Sequence, residues 1–355
     1  MKVHFLIPFF MFIYLFIPVL EAQQVVKGRI IDDYDGSPLI NASILISNTT
    51  VRTSSDKSGN YSITFPGEGS FEIVVSHIGY RSIFYKVDLP DPLHIINHAL
   101  SVNEMEIKEV IVTPESNKNR QKHIDLFWNK ILGEKPSKKG LEVLNPETMS
   151  YILDNDSILE AWCYDPVDII NHQTGFRILY TLHSFQHNYI DNCTEYYGAP
   201  YFEELAPKNI REKKRWEKNR KEVYSVTFTN FLRALYKEQI HESGFFLVDR
   251  DSLKNEKIFP VNLKDILQVE QDIVHVKIKN PLVLMCISKP ITEKMIKNSY
   301  KEILLSSSSF PVMELRPQEI SINSDGTYVG LLKIQEIRKS IFGLSRILPI
   351  EYIEK

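Results

Sequence analysis

Asp56-Lys57-Ser58-Gly59-Asn60-Tyr61-Ser62-Ile63-Thr64-Phe65-Pro66-Gly67 joins a tight turn to a strand, and the sequence around it repeats that alternation. Asp and Gly supply the turn, and Tyr61, Ile63 and Phe65 then face one way while Ser62 and Thr64 face the other. Upstream, Val25 to Asp32 reads as a strand closed by Asp33-Tyr34-Asp35-Gly36-Ser37-Pro38. Ala42, Ile44 and Ile46 alternate with Ser43, Leu45 and Ser47 in the next strand. Downstream, Pro66-Gly67-Glu68-Gly69 turns the chain, and Phe71, Ile73 and Val75 form another core-facing set. His77-Ile78-Gly79-Tyr80-Arg81 breaks that strand, with Gly79 supplying a positive φ. Ile83 to Leu89 and Leu93 to Leu100 complete an expected all-β, seven-stranded sandwich, because turn signals recur every ~8 to 12 residues.

Gly28-Arg29-Ile30-Ile31-Asp32, Asp35-Gly36-Ser37-Pro38-Leu39, Asn41-Ala42-Ser43-Ile44, Thr53, Asp56 to Gly59 with Tyr61-Ser62-Ile63, and Ser76 to Tyr80 carry a resemblance. In this order they resemble the carboxypeptidase regulatory-like domain. The resemblance implies a transthyretin-like (Ig-like) sandwich over 23–112 that is an accessory module and not itself catalytic. The same domain precedes TonB-linked outer-membrane receptors and other envelope proteins of Bacteroidetes-type bacteria, and Lys108 to Thr113 is similar to the segment that joins it to the receptor plug. The chain beyond this point is too short for a plug and a 22-stranded barrel. A small barrel would fit by length, but the charged stretch Pro207 to Glu222 and an end without a terminal aromatic argue against it.

At the amino end, Met1-Lys2-Val3-His4 precedes an apolar run from Phe5 to Leu20 and then Glu21-Ala22. That order reads as a secretory signal peptide over 1–22. Beyond it the longest apolar run, Pro281 to Ile287, fits a buried strand, so no transmembrane helix is expected in the mature chain. The 355 residues are 43% hydrophobic and 25% charged, with 42 basic against 45 acidic side chains. The resulting net charge of -3 argues against a nucleic-acid partner. The three cysteines, Cys163, Cys193 and Cys286, rule out a fully paired framework. One bridge, most simply Cys163 to Cys193, and buried thiols throughout both fit the spacing.

Pro114 to Gln121 is polar and reads as the end of a linker over 113–121. Ile124, Phe127, Trp128 and Ile131 then fall at helical spacing before Gly133. Strand and turn signals follow up to Phe185, then the charged helix Pro207 to Glu222 and an apolar stripe Tyr224, Phe228, Phe231, Leu232, Leu235. Together these predict a multidomain protein whose region 122–355 is an α+β domain on a mostly antiparallel sheet. Leu144-Asn145-Pro146, Leu159-Glu160-Ala161, Pro166 to Asn171, Gly175-Phe176, Tyr180, Tyr197-Gly198, Phe231 to Leu235, Gly244-Phe245 and Leu348 to Tyr352 also resemble an uncharacterised region that follows the same sandwich in Bacteroidetes-type envelope proteins. That resemblance implies a shared domain boundary and no known activity.

The chain carries few motifs with recognisable chemistry. A zinc carboxypeptidase would need His-x-x-Glu, which is absent, and His241-Glu242 lacks a second His at helical spacing. There is no Gly-x-Ser-x-Gly elbow and no phosphate-binding Gly-rich loop. His183 with His187, and His94 with His98, sit four apart in stretches read as strands, where period two also gives a shared face. Cys163 with His172 would be a nucleophile and base, but packing or a disulfide explains Cys163 as well. Asp154, Asp156 and Glu160 read first as a polar turn and not as a calcium loop. No catalytic, metal or cofactor residue is therefore assigned. The remaining candidate is an interaction surface of Arg211, Lys214, Arg215, Trp216 and Lys218, in a basic stretch that Glu212, Glu217 and Glu222 dilute through i,i+3 and i,i+4 pairs.

The expected function is that of a non-enzymatic, exported envelope protein in the periplasm or at the outer membrane. Its partner would be an outer-membrane protein or an envelope glycan. The alternative is an envelope hydrolase with its site in the second domain, and a third reading is a truncated relative of TonB-linked receptors acting through Glu109 to Thr113.

Overall fold

The computed structural model describes residues 24–89, 95–103, 117–133, 136–154, 157–163, 165–190, 192–251, 260–270, 272–286, 312–330, 334–338 and 343–353. The signal-peptide stretch, the receptor-like segment 108–113, His94 and Asp156 lie outside these residues.

The turn at Asp56 forms because its carboxylate accepts from the amides of Ser58 at 2.8 Å and Asn60 at 2.9 Å. Gly59 takes a φ of +78°, and a Cβ there would stand 2.4 Å from the Ile30 carbonyl oxygen, so no other residue fits. The turn delivers strand β4 (Asn60–Thr64) against β1 (Val25–Asp32), which pairs in parallel with β7 (His98–Leu100). The facing sheet runs β3 (Arg52–Ser54), β2 (Ser43–Ile46), β5 (Gly69–Ser76), β6 (Ile83–Leu89). Between the sheets, Ile30, Ile44, Ile63, Phe65, Ile73 and Leu100 are buried as the alternation requires. Gly79, at the end of β5, takes the expected positive φ of +84°.

Helix α1 (Asn117–Leu132) begins inside the stretch read as linker, so the 113–121 linker is too long at its carboxyl end. Asn117 to Lys122 carries no apolar residue to mark a face, yet its Lys, Arg and Gln are good helix formers that extend the helix outward from Phe127. Phe127, Trp128, Ile131 and Leu132 pack on one antiparallel sheet. That sheet runs β8 (Leu141–Val143), β11 (Val167–Asn171), β12 (Phe176–Asn188), β10 (Ile158–Cys163), β9 (Met149–Asp154), with β13 (Cys193–Glu204) along the other side of β12.

After α2 (Ile210–Tyr224) and α3 (Phe228–Tyr236), the chain builds two four-stranded antiparallel sheets. One is β14 (Phe245–Asp249), β17 (Leu282–Cys286), β18 (Val312–Leu315), β21 (Ile334–Arg338). The other is β15 (Leu267–Glu270), β16 (Ile273–Ile278), β19 (Gln318–Ile322), β20 (Tyr328–Gly330). Leu247, Leu284 and Leu315 meet Val276 and Ile320 between them, and Phe231 and Leu235 of α3 close the cluster. The region 122–355 thus holds separate hydrophobic cores, one on the α1 side and one below α3. The protein is mostly β, and among the described residues no helix is long and apolar enough to cross a membrane.

The cores are joined. Leu45 and Val74, on the outer face of the first domain, pack on Ala199 and Tyr201 of β13. Its 48–49 turn bonds the edge of β13, with Asn48 N–H to Pro200 O at 2.6 Å and Phe202 N–H to Thr49 O at 2.9 Å.

Candidate functional site

The turn between β11 and β12 is set by Asn171, whose buried carboxamide oxygen accepts from the amides of Gln173 and Thr174, both at 3.0 Å. Side chains on one face of helix α2 take all four carbonyls of 172–175, the last of them from Arg220 Nη2–H to Gly175 O at 3.4 Å. Trp216 Nε1–H donates to His172 O at 3.0 Å, Asn219 Nδ2–H to Gln173 O at 2.8 Å and Arg220 Nε–H to Thr174 O at 2.6 Å. The Trp216 ring lies over Gly175, where a Cβ would come within 2.2 Å of it. Arg220 also stacks on Phe176 with 4.2 Å to the ring centroid and reaches Glu204.

Trp216 is only 6% exposed, which corrects its place in the sequence-derived interaction surface. It is an anchor of the helix and not a surface aromatic. Arg215 is partly engaged, donating to Glu212 Oε1 at 3.2 Å. Lys218 lies 3.8 Å from Glu222, the self-pairing that the spacing implies. Arg211 and Lys214 are exposed and have no carboxylate partner among the described residues. At ~100° per residue, Arg211, Lys214, Arg215 and Lys218 share one outward arc of the helix.

Beside that arc the loop before β8 brings up Lys138 and Lys139, which sequence reasoning missed. Gly140 N–H bonds Ser137 Oγ at 2.9 Å and Gly140 O accepts from His172 N–H at 3.0 Å, fixing the loop to the turn. His172 Nε2–H in turn donates to Glu142 at 2.7 Å. Lys138, Lys139, His172, Gln173, Arg215 and Asn219 surround a depression of about 370 Å³. The pairing of Lys138-Lys139 ahead of Gly140 was the available signal, but nothing local connects it to a helix that begins at residue 210.

The other candidates do not assemble. A bulge between Leu182 and Ser184 shifts the alternation of β12, so His183 is exposed beside Phe84 and Tyr197 while His187 is buried against Thr194 at 2.7 Å. The shared face expected from period two is therefore lost. His98 is buried with its ring edge to Tyr85. Cys163 is a free thiol that burial pushes up to about 11, so it is held protonated and is no nucleophile at neutral pH. A Cys163–Cys193 bridge is excluded by register, since Ile158 and Cys193 both align with Asn188 and Cys163 lies at the far end of β10. Glu160 accepts from Gln186 at 3.2 Å. Among the described residues no group of three or more His, Cys, Asp or Glu side chains gathers as metal ligands do.

A sandwich closed by the Asp56 turn packs sideways on a second sheet. Residues 26–112 match the CarboxypepD_reg-like domain, and the amino-terminal module is such a domain. No curated protein matches the chain. Among solved structures, a group B streptococcus pilus 2b backbone protein aligns at 17% identity and a TM-score of 0.20, over 22% of this chain and 41% of that one. The chain thus spans less than half of that pilus protein. A putative membrane-associated protein of unknown function from Bacteroides fragilis aligns at 13% identity and a TM-score of 0.18, over 89% and 95% of the two chains. Neither alignment bears on fold or function at those scores.

Proposed function

We propose that the protein is a non-enzymatic, exported envelope component that docks an acidic surface of an outer-membrane protein through the outward face of α2. The observation that supports this reading is the placement of Arg211 and Lys214, exposed without carboxylate partners on a helix whose other face is fixed by Trp216, Asn219 and Arg220. A helix anchored in this way presents its cations without losing further backbone freedom on binding. Cations of this kind steer and orient an acidic partner more than they add affinity. The sandwich contributes by bracing β13 from behind and not by offering a catalytic group.

The test is site-specific photo-cross-linking in intact cells, from position 214 and, as a control, from the exposed Lys57 on the sandwich turn. One outer-membrane protein captured in stoichiometric yield from 214 and not from 57, and lost in the Arg211→Glu/Lys214→Glu variant, is the expected result. The same products from both positions would overturn the docking reading.

A further inference from the structure

We propose that the depression between Lys138-Lys139 and α2 is a binding site for a phosphate monoester carried on a small hydroxyl-bearing body such as a sugar. It adjoins the docking face but does not depend on the docking reading. Three segments converge on it: the loop fixed by Ser137 and Gly140, the turn fixed by Asn171, and the anchored face of α2. Each segment is pinned by side-chain to backbone hydrogen bonds, so the backbone that carries the donors stands in place before a ligand arrives.

The charge of the walls selects an anion. Lys138 and Lys139 have no carboxylate partner among the described residues. Arg215, which also lines the depression, spends Nη2 on Glu212 Oε1 and on His172 O at 3.5 Å, and these bonds hold its guanidinium. A planar guanidinium and two ammonium groups lining one depression suit an oxyanion bound by several of its oxygens at once. The depression, about 370 Å³ and open to solvent on one side, has room for the small body that carries the phosphate. The rest of the lining is His172, held by Glu142, with Gln173 and Asn219. Asn219 spends its Nδ2–H on Gln173 O, so its carboxamide oxygen is left as an acceptor for a hydroxyl, and the Gln173 side chain offers both donor and acceptor.

The experiment is calorimetric titration of the mature chain at low ionic strength with glucose 1-phosphate, inorganic phosphate, glucose, acetate and phosphatidylglycerol vesicles. Saturable binding of glucose 1-phosphate, displaced by inorganic phosphate and not by glucose or acetate, is expected, with affinity falling as salt rises. Lys138→Glu/Lys139→Glu should weaken it at least about tenfold. The exposed control Lys57→Glu should leave it unchanged. Because both lysines are exposed, the double variant should fold and melt as the parent does; Arg215→Gln, which keeps a planar donor without the charge, provides a second reading of the same site. Binding to the vesicles alone, equal displacement by acetate, an unchanged titration in Lys138→Glu/Lys139→Glu, or no saturation would each overturn the proposal. Arg211→Glu/Lys214→Glu keeps the phosphate titration while removing the docking cross-link, so either reading fails without the other.

Discussion

Glu72 projects from the outer side of β5, between Phe71 and Ile73 of the core, toward the place where the first domain meets the rest of the chain. Its neighbour Val74 packs there on Ala199 and Tyr201, and the hydroxyls of Tyr180 and Tyr328, from different sheets, are raised chiefly by burial and to a lesser degree by the Glu72 charge. Burial pushes its carboxyl up from 4.5 to about 7. A raised carboxyl favours the folded state only while it is neutral, so the cost of ionising it is absent near pH 4, grows between 4.5 and 7, and is complete above that. Glu72→Gln should therefore match the parent at pH 4 and exceed it by about 2 kcal/mol at pH 8, after allowance for partial exposure. Urea unfolding at the two pH values measures this. A variant no more stable than the parent at pH 8 would show that Glu72 is solvated in the folded protein. The pattern Phe71, Ile73, Val75 made the inner face of this strand legible, whereas nothing local to Glu72 marks the outer face as covered.

Among the elements, α2 shows where sequence reading works and where it stops. Its charges were legible, but it runs Ile210–Tyr224 and not Pro207 to Glu222, so Tyr224 ends this helix instead of opening the next; Asn209 caps it, with Oδ1 accepting from Glu212 N–H at 2.9 Å. The burial of Trp216 was not legible, because an aromatic flanked by Arg215 and Glu217 shows no apolar stripe. What buries it is a turn more than forty residues earlier. The bulge that separates His183 from His187 was hidden for a similar reason, since a strand's pattern gives its period and not its interruptions. The helix seat depends on Gly175, which has a φ of +71° and no room for a Cβ. Gly175→Ala should cost about 2–3 kcal/mol and lift α2 from the sheet, by strain at the turn and displacement of the indole. Denaturation gives the loss in stability, and a red shift of tryptophan emission reports that Trp216 has left its site. A variant that loses stability with unchanged emission would put the strain in the turn alone. Phosphate binding at the neighbouring depression should fall with the red shift, because Arg215 and Asn219 move with the helix.

At the scale of the molecule, the carboxyl-terminal segment 343–353 locks the parts together. Ile350 N–H donates to Asn48 O at 2.8 Å, and Glu351 Oε1 accepts from Thr50 N–H at 2.9 Å and from its hydroxyl at 3.1 Å, which tie the tail to the sandwich. Leu348 is buried in the core beneath α1. Arg233 of α3, 8% exposed, donates to Ile350 O at 2.7 Å, Tyr352 O at 2.9 Å, Asp325 O at 2.6 Å and Tyr224 Oη at 3.1 Å. One guanidinium thus binds the tail, the β19–β20 turn and the end of α2 without a carboxylate. That β19–β20 turn also touches the first domain, with Thr327 Oγ1–H donating to Glu68 O at 3.1 Å. The resemblance at Leu348 to Tyr352 marked these residues without saying what they do, since every partner is distant in sequence. Removing residues 348–355 strips Arg233 of two acceptors, takes Leu348 from its core and removes the tail's bonds to Asn48 and Thr50. The expected loss is about 4 kcal/mol or more, and it should fall on the junction more than on any one core. In calorimetry the shortened chain should then melt in separate transitions, the CarboxypepD_reg-like domain apart from the rest, where the parent melts in one. A single transition at the parent's temperature would mean that the contacts outside the tail, the packing of Leu45 and Val74 on β13 with the bonds of Asn48, Thr49 and Glu68, suffice to couple the parts. Two transitions would place that coupling in the tail.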